Sequence, residues 1–335
     1  MPTHLLVTGG AGFIGSHYVR SLFAPSTAPG TGPHVTVLDS LTYAGNPLNL
    51  SGLHGRSGFR FVTGDICDPQ VVDRVVAEAD EIVHFAAETH VDRSITGGQE
   101  FVRTNVLGTQ VLLDAAVRHG VRRFVHVSTD EVYGSIAEGS WPEEHPLNPS
   151  SPYSASKAAG DLLALSYHAT YGLDVCVTRC CNNFGSRQYP EKVIPLFVTR
   201  LLDGRTVPLY GTGDNTREWI HVDDHVDAVE RVRTAGRAGR VYNVGSGVEL
   251  TNRQLTEFLL QQCGADWDSV EQVADRPGHD LRYSVDTARI RRELGWAPRR
   301  DFAASLAETV DWYRENGGRW QKEAAGGRIP HSPVA

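Results

Sequence analysis

The chain has 335 residues, of which 40% are hydrophobic and 21% are charged, a composition typical of globular proteins with a sizeable core. The formal charge of -8 and the lack of a basic tract argue against nucleic acid as a partner. No apolar run approaches the roughly 20 residues of a membrane-spanning helix, and the first residues do not resemble a signal peptide. We therefore expect no membrane partner and a cytoplasmic protein.

Strands and helices alternate along the first half of the chain. Short apolar runs predict strands at residues 4–8, 34–38, 59–63, 81–86, 123–128 and 174–179. Helical patterns predict helices at residues 14–23, 69–77, 100–119 and 153–171, and residues 25–33 are expected to form a loop. Because parallel strands need crossover helices, this order predicts an α/β fold with a Rossmann-type, doubly wound parallel sheet.

The pattern loosens after Gly185. Short strands and turns are predicted at residues 208–213 and 215–220, a strand at 240–244, and helices at 221–234, 252–262, near 286–294 and at 302–316. These elements suggest a smaller, mixed α/β lobe that binds the substrate. We predict a cofactor domain at residues 1–185 joined by about 221–246, a substrate lobe at 186–220 and 247–323, and a frayed tail at 324–335.

Cysteine usage indicates a reducing compartment. The five cysteines are odd in number, form no Cys-x-x-Cys pair, and include the neighbours Cys180 and Cys181, which are poorly placed for a structural disulfide. We expect free thiols that are mostly buried in the core. No Cys or His pair has the spacing of zinc ligands, so no metal site is expected.

A glycine-rich stretch follows the first predicted strand. Residues 8–15 read TGGAGFIG, with Gly9, Gly12 and Gly15 between a strand and a helix, where a dinucleotide diphosphate binds at a helix N-terminus. Asp39 closes the second strand, where a carboxylate accepts hydrogen bonds from a ribose and repels a 2′-phosphate. The sequence therefore favours NAD over NADP. Asp65 and Ile66 are either an adenine contact or an ordinary surface aspartate with a core isoleucine.

Two further patterns carry reactive groups. Thr129, Asp130 and Glu131 follow an apolar strand, where adjacent carboxylates repel each other and resist burial. Tyr153 and Lys157 are four residues apart, so they share one helix face. A neighbouring lysine cation is expected to lower the pKa of the phenol, which makes Tyr153 a candidate general base, although a solvated helical pair is the common alternative.

Taken together, these patterns resemble a known family. TGGAGFIG, the Thr-Asp-Glu triplet and the Tyr-x-x-x-Lys spacing resemble the extended short-chain dehydrogenases/reductases. Within them, the chain is most similar to the dTDP-glucose 4,6-dehydratases in the stretches STDEVYG (128–134), FAAETHVDRS (85–94), NNFG (182–185), PEKVIP (190–195), REWIHVDD (217–224) and RPGHDLRYSVD (276–286). The resemblance covers residues 4 to about 315.

The resemblance implies a hydro-lyase that dehydrates dTDP-glucose to dTDP-4-keto-6-deoxyglucose with NAD, in deoxysugar biosynthesis. Tyr153 would accept the C4 hydroxyl proton, with Lys157 beside it, while hydride passes from C4 to NAD. Glu131 would remove the C5 proton and Asp130 would protonate the departing C6 hydroxyl, with Thr129 bonded near the C4 oxygen. Hydride then returns to C6. Because like charges push two pKa values apart, adjacent carboxyls suit one neutral and one ionised role.

The resemblance also assigns residues to each ligand. Expected to contact NAD are Gly9, Gly12, Phe13, Ile14, Gly15, Asp39, Ser40, Leu41, Thr42, Asp65, Ile66, Phe85, Ala86, Ala87, Glu88, Thr89, Thr104, Tyr153, Lys157 and Asn183. Expected to contact dTDP-glucose are Thr89, Thr129, Asp130, Glu131, Tyr153, Asn182, Lys192, Val193, Pro208, Tyr210, Arg217, Asn252, Asp275, Arg276, His279 and Tyr283. Lys192 and Arg217 supply the local cations that an acidic protein needs for an anionic ligand.

Two other functions fit parts of the sequence. A sugar-nucleotide 4-epimerase would use Tyr153 and NAD in the same way, but it has no use for Asp130 and Glu131 at C5 and C6. A non-catalytic NAD sensor would keep the glycines without needing both Tyr153 and Lys157.

The resemblance further implies a homodimer in which the helices at 100–119 and 153–171 pair across a two-fold axis. Val111, Leu112, Leu163 and Leu165 are compatible with that interface and equally with core packing.

Overall fold

The computed structural model describes residues 3–24 and 34–324; the predicted loop at 25–33 and nearly all of the predicted tail lie outside them. The strands are β1 (His4–Thr8), β2 (His34–Asp39), β3 (Phe59–Thr63), β4 (Glu81–His84), β5 (Arg123–Thr129), β6 (Val175–Cys180), β7 (Asn182–Phe184), β8 (Val207–Tyr210), β9 (Thr216–His221), β10 (Arg240–Val244), β11 (Glu249–Thr251) and β12 (Val270–Val273).

The helices are α1 (Phe13–Leu22), α2 (Pro69–Val76), α3 (Val91–Thr96), α4 (Gly98–Val102), α5 (Thr109–His119), α6 (Pro152–Tyr171), α7 (Val193–Leu202), α8 (Val222–Ala235), α9 (Asn252–Cys263), α10 (Ala288–Leu294) and α11 (Phe302–Ala324). Short 3-10 turns lie at Pro47–Leu50, Asp130–Tyr133 and Trp267–Ser269, and a π-helical segment at Arg103–Gly108 joins α4 to α5. Within these ranges, no helix is long and apolar enough to span a membrane.

The central sheet has seven strands in the order β10-β6-β5-β4-β1-β2-β3, all paired in parallel. The chain builds outward from β1 to β3 and then resumes on the other side at β4, so the direction of winding reverses between β1 and β4. In such sheets the ligand crevice lies at the carboxyl ends of the strands at this reversal point. The predicted Rossmann-type fold is confirmed.

Two apolar clusters cover the two faces of this sheet. In β1, Leu5 and Val7 belong to one cluster and Leu6 to the other, as the two-residue period of a strand requires. All three side chains are fully buried, because helices pack on both faces of the sheet.

The smaller lobe has its own sheets and core. β11, β9 and β7 form a three-stranded sheet, and β12 pairs with β8. A third apolar cluster, which includes Trp219, Leu255 and Tyr313, packs beneath them. β10 returns to the large sheet beside β6. The domain boundaries given above remain a prediction.

Some predicted elements differ from the structure, and some helices and strands were not predicted. The predicted helix at 100–119 is divided into α4, the π-helical segment and α5. α7 was not predicted, because its sequence VIPLFVTRLL is apolar except at Thr199 and Arg200 and so lacks a broad polar face. The strand predicted at 81–86 ends at His84, since Phe85 and Ala86 leave the sheet to line the crevice.

Candidate active site

A cavity of about 640 Å³ opens at the carboxyl ends of the central strands and extends into the smaller lobe. Its lining contains every predicted NAD residue except Leu41 and every predicted sugar-nucleotide residue except Asp275 and Tyr283. Leu41 packs against the core instead, Asp275 bonds His279, and Tyr283 is buried beneath Arg217. The individual ligand contacts remain predictions.

The glycine turn after β1 fits the backbone approach that a dinucleotide requires. Gly9 has φ +70, and a Cβ there would lie 2.6 Å from the Ala86 nitrogen, so the position requires glycine. A Cβ at Gly15 would lie 2.3 Å from the Gly9 carbonyl oxygen. α1 begins directly after Gly12, so its free N–H groups face the part of the cavity that these glycines line. This arrangement suits a diphosphate.

Asp39 at the end of β2 is already engaged with the backbone. Its two carboxylate oxygens accept the N–H groups of Ala11 (2.9 Å) and Leu41 (2.8 Å), and burial raises its pKa. It therefore fixes the glycine turn, a role that the sequence did not reveal. Each oxygen keeps a further lone pair, so the predicted ribose contact is still available.

The helix α6 presents Tyr153 and Lys157 to the cavity. Ser151 and Ser154 form a capping box around Pro152, so the helix begins one residue before Tyr153. The Lys157 ammonium donates to the Val127 carbonyl on β5 at 2.7 Å, and burial lowers its pKa to about 8. The spacing of four therefore does produce a shared buried face.

The prediction that the pKa of Tyr153 is lowered is wrong, because the surroundings of the phenol raise its pKa. Burial raises the pKa of Tyr153 well above its usual value, and the nearby Glu131 carboxylate raises it further. A hydrogen bond with Thr129 only partly opposes this. No local sequence pattern indicates that the phenol is enclosed together with carboxylates.

The acid pair lies on the short turn that follows β5. Thr129 caps this turn, its hydroxyl accepting the Glu131 N–H at 3.3 Å and donating to Asp130 Oδ1 at 3.2 Å. Asp130 is only 2% exposed, and within the described chain its Oδ2 has no hydrogen-bond partner. Both carboxyls line the cavity.

Asp130 and Glu131 differ in their electrostatic surroundings. Burial raises the pKa of Asp130 well above its usual value, and the Glu131 and Glu218 carboxylates raise it further. Burial also raises the pKa of Glu131, but the cations Lys192, Arg217 and Arg276 counteract that rise. The surroundings therefore favour the protonated form more strongly in Asp130, and Glu131 is the carboxyl that ionises more readily.

Three cations enclose the far end of the cavity. Lys192 at the start of α7 donates to the Thr89 carbonyl at 2.6 Å, which joins the smaller lobe to the loop after β4. Arg217 stacks over the Tyr283 ring at 4.4 Å and donates to the Asp280 carbonyl at 3.0 Å. Arg276 pairs with Asp92 at 3.3 Å. They give this acidic protein a local site for an anionic group.

Several residues around the cavity were missed by the sequence analysis. Cys180, Cys181 and His225 line it, and the neighbouring Cys181 and His225 lower the pKa of the buried Cys180 thiol. Glu191 accepts a hydrogen bond from the Tyr43 hydroxyl at 3.0 Å and forms an ion pair with Arg93 at 3.2 Å. These contacts bridge the two lobes. No local pattern identifies these contacts, because their partners are far apart in the sequence.

The chain has close relatives of known activity. A family model described as GDP-mannose 4,6 dehydratase matches residues 6–309. The dTDP-glucose 4,6-dehydratase of Streptomyces niveus is 61% identical over 317 residues, which cover 95% of this chain and 94% of that protein. The chain belongs to the dTDP-glucose 4,6-dehydratase family.

Solved structures place this family member among other nucleotide-sugar enzymes. The dTDP-glucose 4,6-dehydratase of Streptomyces venezuelae, crystallised with NAD, is 60% identical with a TM-score of 0.93, over 96% of this chain and all (100%) of that one. A UDP-glucose 4-epimerase of Thermotoga maritima is 30% identical with a TM-score of 0.86, over 94% and 99% of the two chains. The 4,6-dehydratases thus share their fold with epimerases, so the fold alone does not decide the reaction.

Proposed function

We propose that the protein dehydrates dTDP-glucose to dTDP-4-keto-6-deoxyglucose with NAD as cofactor, a hydro-lyase reaction in deoxysugar biosynthesis. The observation that carries the proposal is the pair of adjacent carboxyls, Asp130 buried and Glu131 half-buried, in one cavity with Tyr153 and Lys157. The family relatives, which bear this activity in their names, support it independently.

Tyr153 and Lys157 act at C4 of the sugar. The glycine turn and Asp39 would hold NAD, which would supply the hydride acceptor for C4, the hydride donor for C6 and a positive charge near Tyr153. Tyr153 takes the C4 hydroxyl proton, and the Lys157 cation stabilises the resulting phenolate. Burial raises the phenol pKa, so Tyr153 alone is a weak base precursor. The positive charges of Lys157 and of the oxidised nicotinamide ring are needed to stabilise the phenolate.

Asp130 and Glu131 act at C5 and C6. A ketone at C4 acidifies the C5 proton, which Glu131 removes, since nearby cations favour its ionised form. The C6 hydroxyl leaves as water when Asp130, which remains protonated in its buried position, donates its proton. The double bond then lies between C5 and C6, ready for hydride at C6 and a proton at C5.

Lys192, Arg217 and Arg276 hold the diphosphate of the sugar nucleotide. Each already lies at the cavity wall and is fixed by a protein partner, so little side-chain entropy is lost on binding.

We further infer a cytoplasmic homodimer. Val111, Leu163 and Leu165 pack against the core and Leu112 is fully buried, so the expected outward stripe is not formed by these residues. Val102 (57% exposed), Leu107 (47%) and Leu162 (59%) instead leave apolar surface on the α4–α5 and α6 helices. Leu162→Glu should convert a dimer to monomers in analytical ultracentrifugation; an unchanged sedimentation coefficient would place the interface elsewhere.

The proposed reaction is tested by incubating the protein with dTDP-glucose and NAD and analysing the product by mass spectrometry and proton NMR. Loss of one water with a new C6 methyl group and a C4 ketone is expected. A product of unchanged mass with inverted C4 would indicate an epimerase and contradict the assignment of Asp130 and Glu131. Bound NAD without any turnover of dTDP-, UDP- or GDP-sugars would indicate an NAD sensor.

A further inference from the structure

A buried network links the two reactive pairs on the side away from the cavity. It starts at Asp161, one helical turn after Lys157 on α6, which is fully buried. Its Oδ2 accepts the Arg179 Nε–H at 2.8 Å, from the neighbouring strand β6. Asp161 is therefore anchored on the same rigid helix that carries Tyr153 and Lys157.

Arg179 continues this network to the turn that carries the acids. One of its terminal nitrogens donates to the Tyr133 hydroxyl at 2.8 Å, and its guanidinium lies 4.7 Å above the Tyr133 ring. Tyr133 is the last residue of the turn Asp130–Tyr133 and is only 1% exposed. Its hydroxyl then donates to Asn243 Oδ1 on β10 at 2.8 Å.

Stability alone is a weak reason for such a network. An arginine and an aspartate that are both almost fully buried lose their hydration, and apolar side chains of similar size often replace buried ion pairs without loss of stability. A planar guanidinium does, however, fix direction, because its N–H groups point along set lines to two partners at once. Here the two partners are Asp161 on α6, which carries Tyr153 and Lys157, and Tyr133 on the turn that carries Asp130 and Glu131.

We propose that Arg179 and Tyr133 are positioning residues that hold the acid turn at a fixed distance from the Tyr153–Lys157 face of α6. The inference rests on the proposed function, in which the first pair acts at C4 and the second at C5 and C6 of one bound sugar. Loss of the link leaves C4 within reach of Tyr153 but displaces Glu131 and Asp130 from C5 and C6. Elimination then slows while oxidation continues.

Tyr133→Phe is the decisive variant. It removes the oxygen that joins Arg179 to the turn and keeps the ring beneath the guanidinium. Arg179→Met is less informative, because it leaves the buried Asp161 without its cation and endangers folding. Tyr242→Phe is the matched control: this buried tyrosine on β10 also accepts one hydrogen bond, from Arg237 N, and donates one, to Glu293, without contact to the acid turn.

The experiment is a single turnover of each NAD-loaded protein with dTDP-glucose, followed by absorbance at 340 nm. The rise reports oxidation at C4, and the decay reports completion of elimination and hydride return. In Tyr133→Phe we expect an unchanged rise and a decay slowed by about tenfold or more, since small misplacements of reacting groups cost rates of this order. Tyr242→Phe should match the wild type in both phases.

Equal slowing of both phases in Tyr133→Phe would indicate a general structural role and overturn the proposal, as would wild-type kinetics in both phases. The same slowed decay in Tyr242→Phe would also overturn it. If the wild type itself shows neither an absorbance change nor a product, the proposed function fails and the positioning role fails with it. If the wild type converts dTDP-glucose to the expected product, the proposed function stands, and the variants then test the positioning role alone.

Discussion

The helix pair, Tyr153 and Lys157, and the turn pair, Asp130 and Glu131, share one cavity but are built differently. The helix pair is set by a four-residue spacing on α6, which begins at a capping box. The turn pair is set by the end of β5 and by a 3-10 turn that Thr129 caps. A helix repeat fixes two side chains with little help, whereas a turn depends on distant partners such as Arg179 to hold it.

Burial also shifts the pKa of Lys157 and the pKa values of the turn pair in opposite directions. It lowers the pKa of Lys157 to about 8 and raises the pKa values of Asp130 and Glu131. These shifts bring bases and acids toward neutral pH, where proton transfer is most efficient. Tyr153 is the exception, since burial moves its pKa away from neutrality. The more demanding deprotonation is therefore that of the Tyr153 phenol in the helix pair.

The largest expected effect comes from removing the base of the helix pair. Tyr153→Phe should reduce turnover by roughly 10⁴-fold, because the phenol is the group assigned to take the C4 proton. Single-turnover absorbance at 340 nm should show no rise. A rise at the wild-type rate would mean that another group takes the C4 proton. The assignment of oxidation to the helix pair and of elimination to the turn pair would then be wrong.

Glu131→Gln should break the turn pair alone. We expect product formation to fall by about 10³-fold while oxidation at C4 continues, so that absorbance at 340 nm rises and persists. Rapid quenching and mass spectrometry should then detect a 4-keto sugar that has not yet lost water. If the variant blocks the rise as completely as Tyr153→Phe, Glu131 acts in the first step and the division is wrong.

Asp130→Asn should have a smaller effect, on the order of 10²-fold, because the amide still donates a hydrogen bond but supplies no proton. dTDP-6-fluoro-6-deoxyglucose provides the control, since fluoride leaves without protonation. We expect the variant to process this analogue nearly as fast as the wild type does. An equal defect with both substrates would show that Asp130 does not serve as the acid.

The pH dependence should reveal the lysine. Because the pKa of Lys157 is lowered to about 8, its cation is present below that pH and is lost above it. The wild-type kcat/KM should therefore fall about tenfold per pH unit above 8. Lys157→Arg keeps a cation that does not titrate in this range, so its profile should lose that fall at a lower overall rate. A fall that persists unchanged in Lys157→Arg would exclude Lys157 as its origin.

Local patterns predicted much of the fold and the centre of the site. The strands His4–Thr8, Phe59–Thr63 and Arg240–Val244 were predicted to the residue, because their apolar runs are short and bounded by polar residues. α7 escaped prediction because burial between other elements removed its polar face. Tyr153 and Lys157 have a readable spacing on one helix.

The supporting contacts were not readable from sequence. Arg179 reaches Tyr133 across 46 positions and Tyr43 reaches Glu191 across 148, so each contact depends on the assembled sheet and lobes. The direction of the Tyr153 pKa shift was missed for the same reason, since it arises from burial beside Glu131 rather than from the lysine on its own helix. Long-range packing, not local pattern, sets these features.

The most direct test of the central claim follows one hydrogen through the reaction. dTDP-glucose carrying deuterium at C4 is converted by the wild-type protein in ordinary water, and the product is examined by NMR and mass spectrometry. If the helix pair acts first and the turn pair second on one bound sugar, deuterium leaves C4 and appears in the C6 methyl group. Deuterium found at C4 of an epimer, or lost to solvent, would contradict the account.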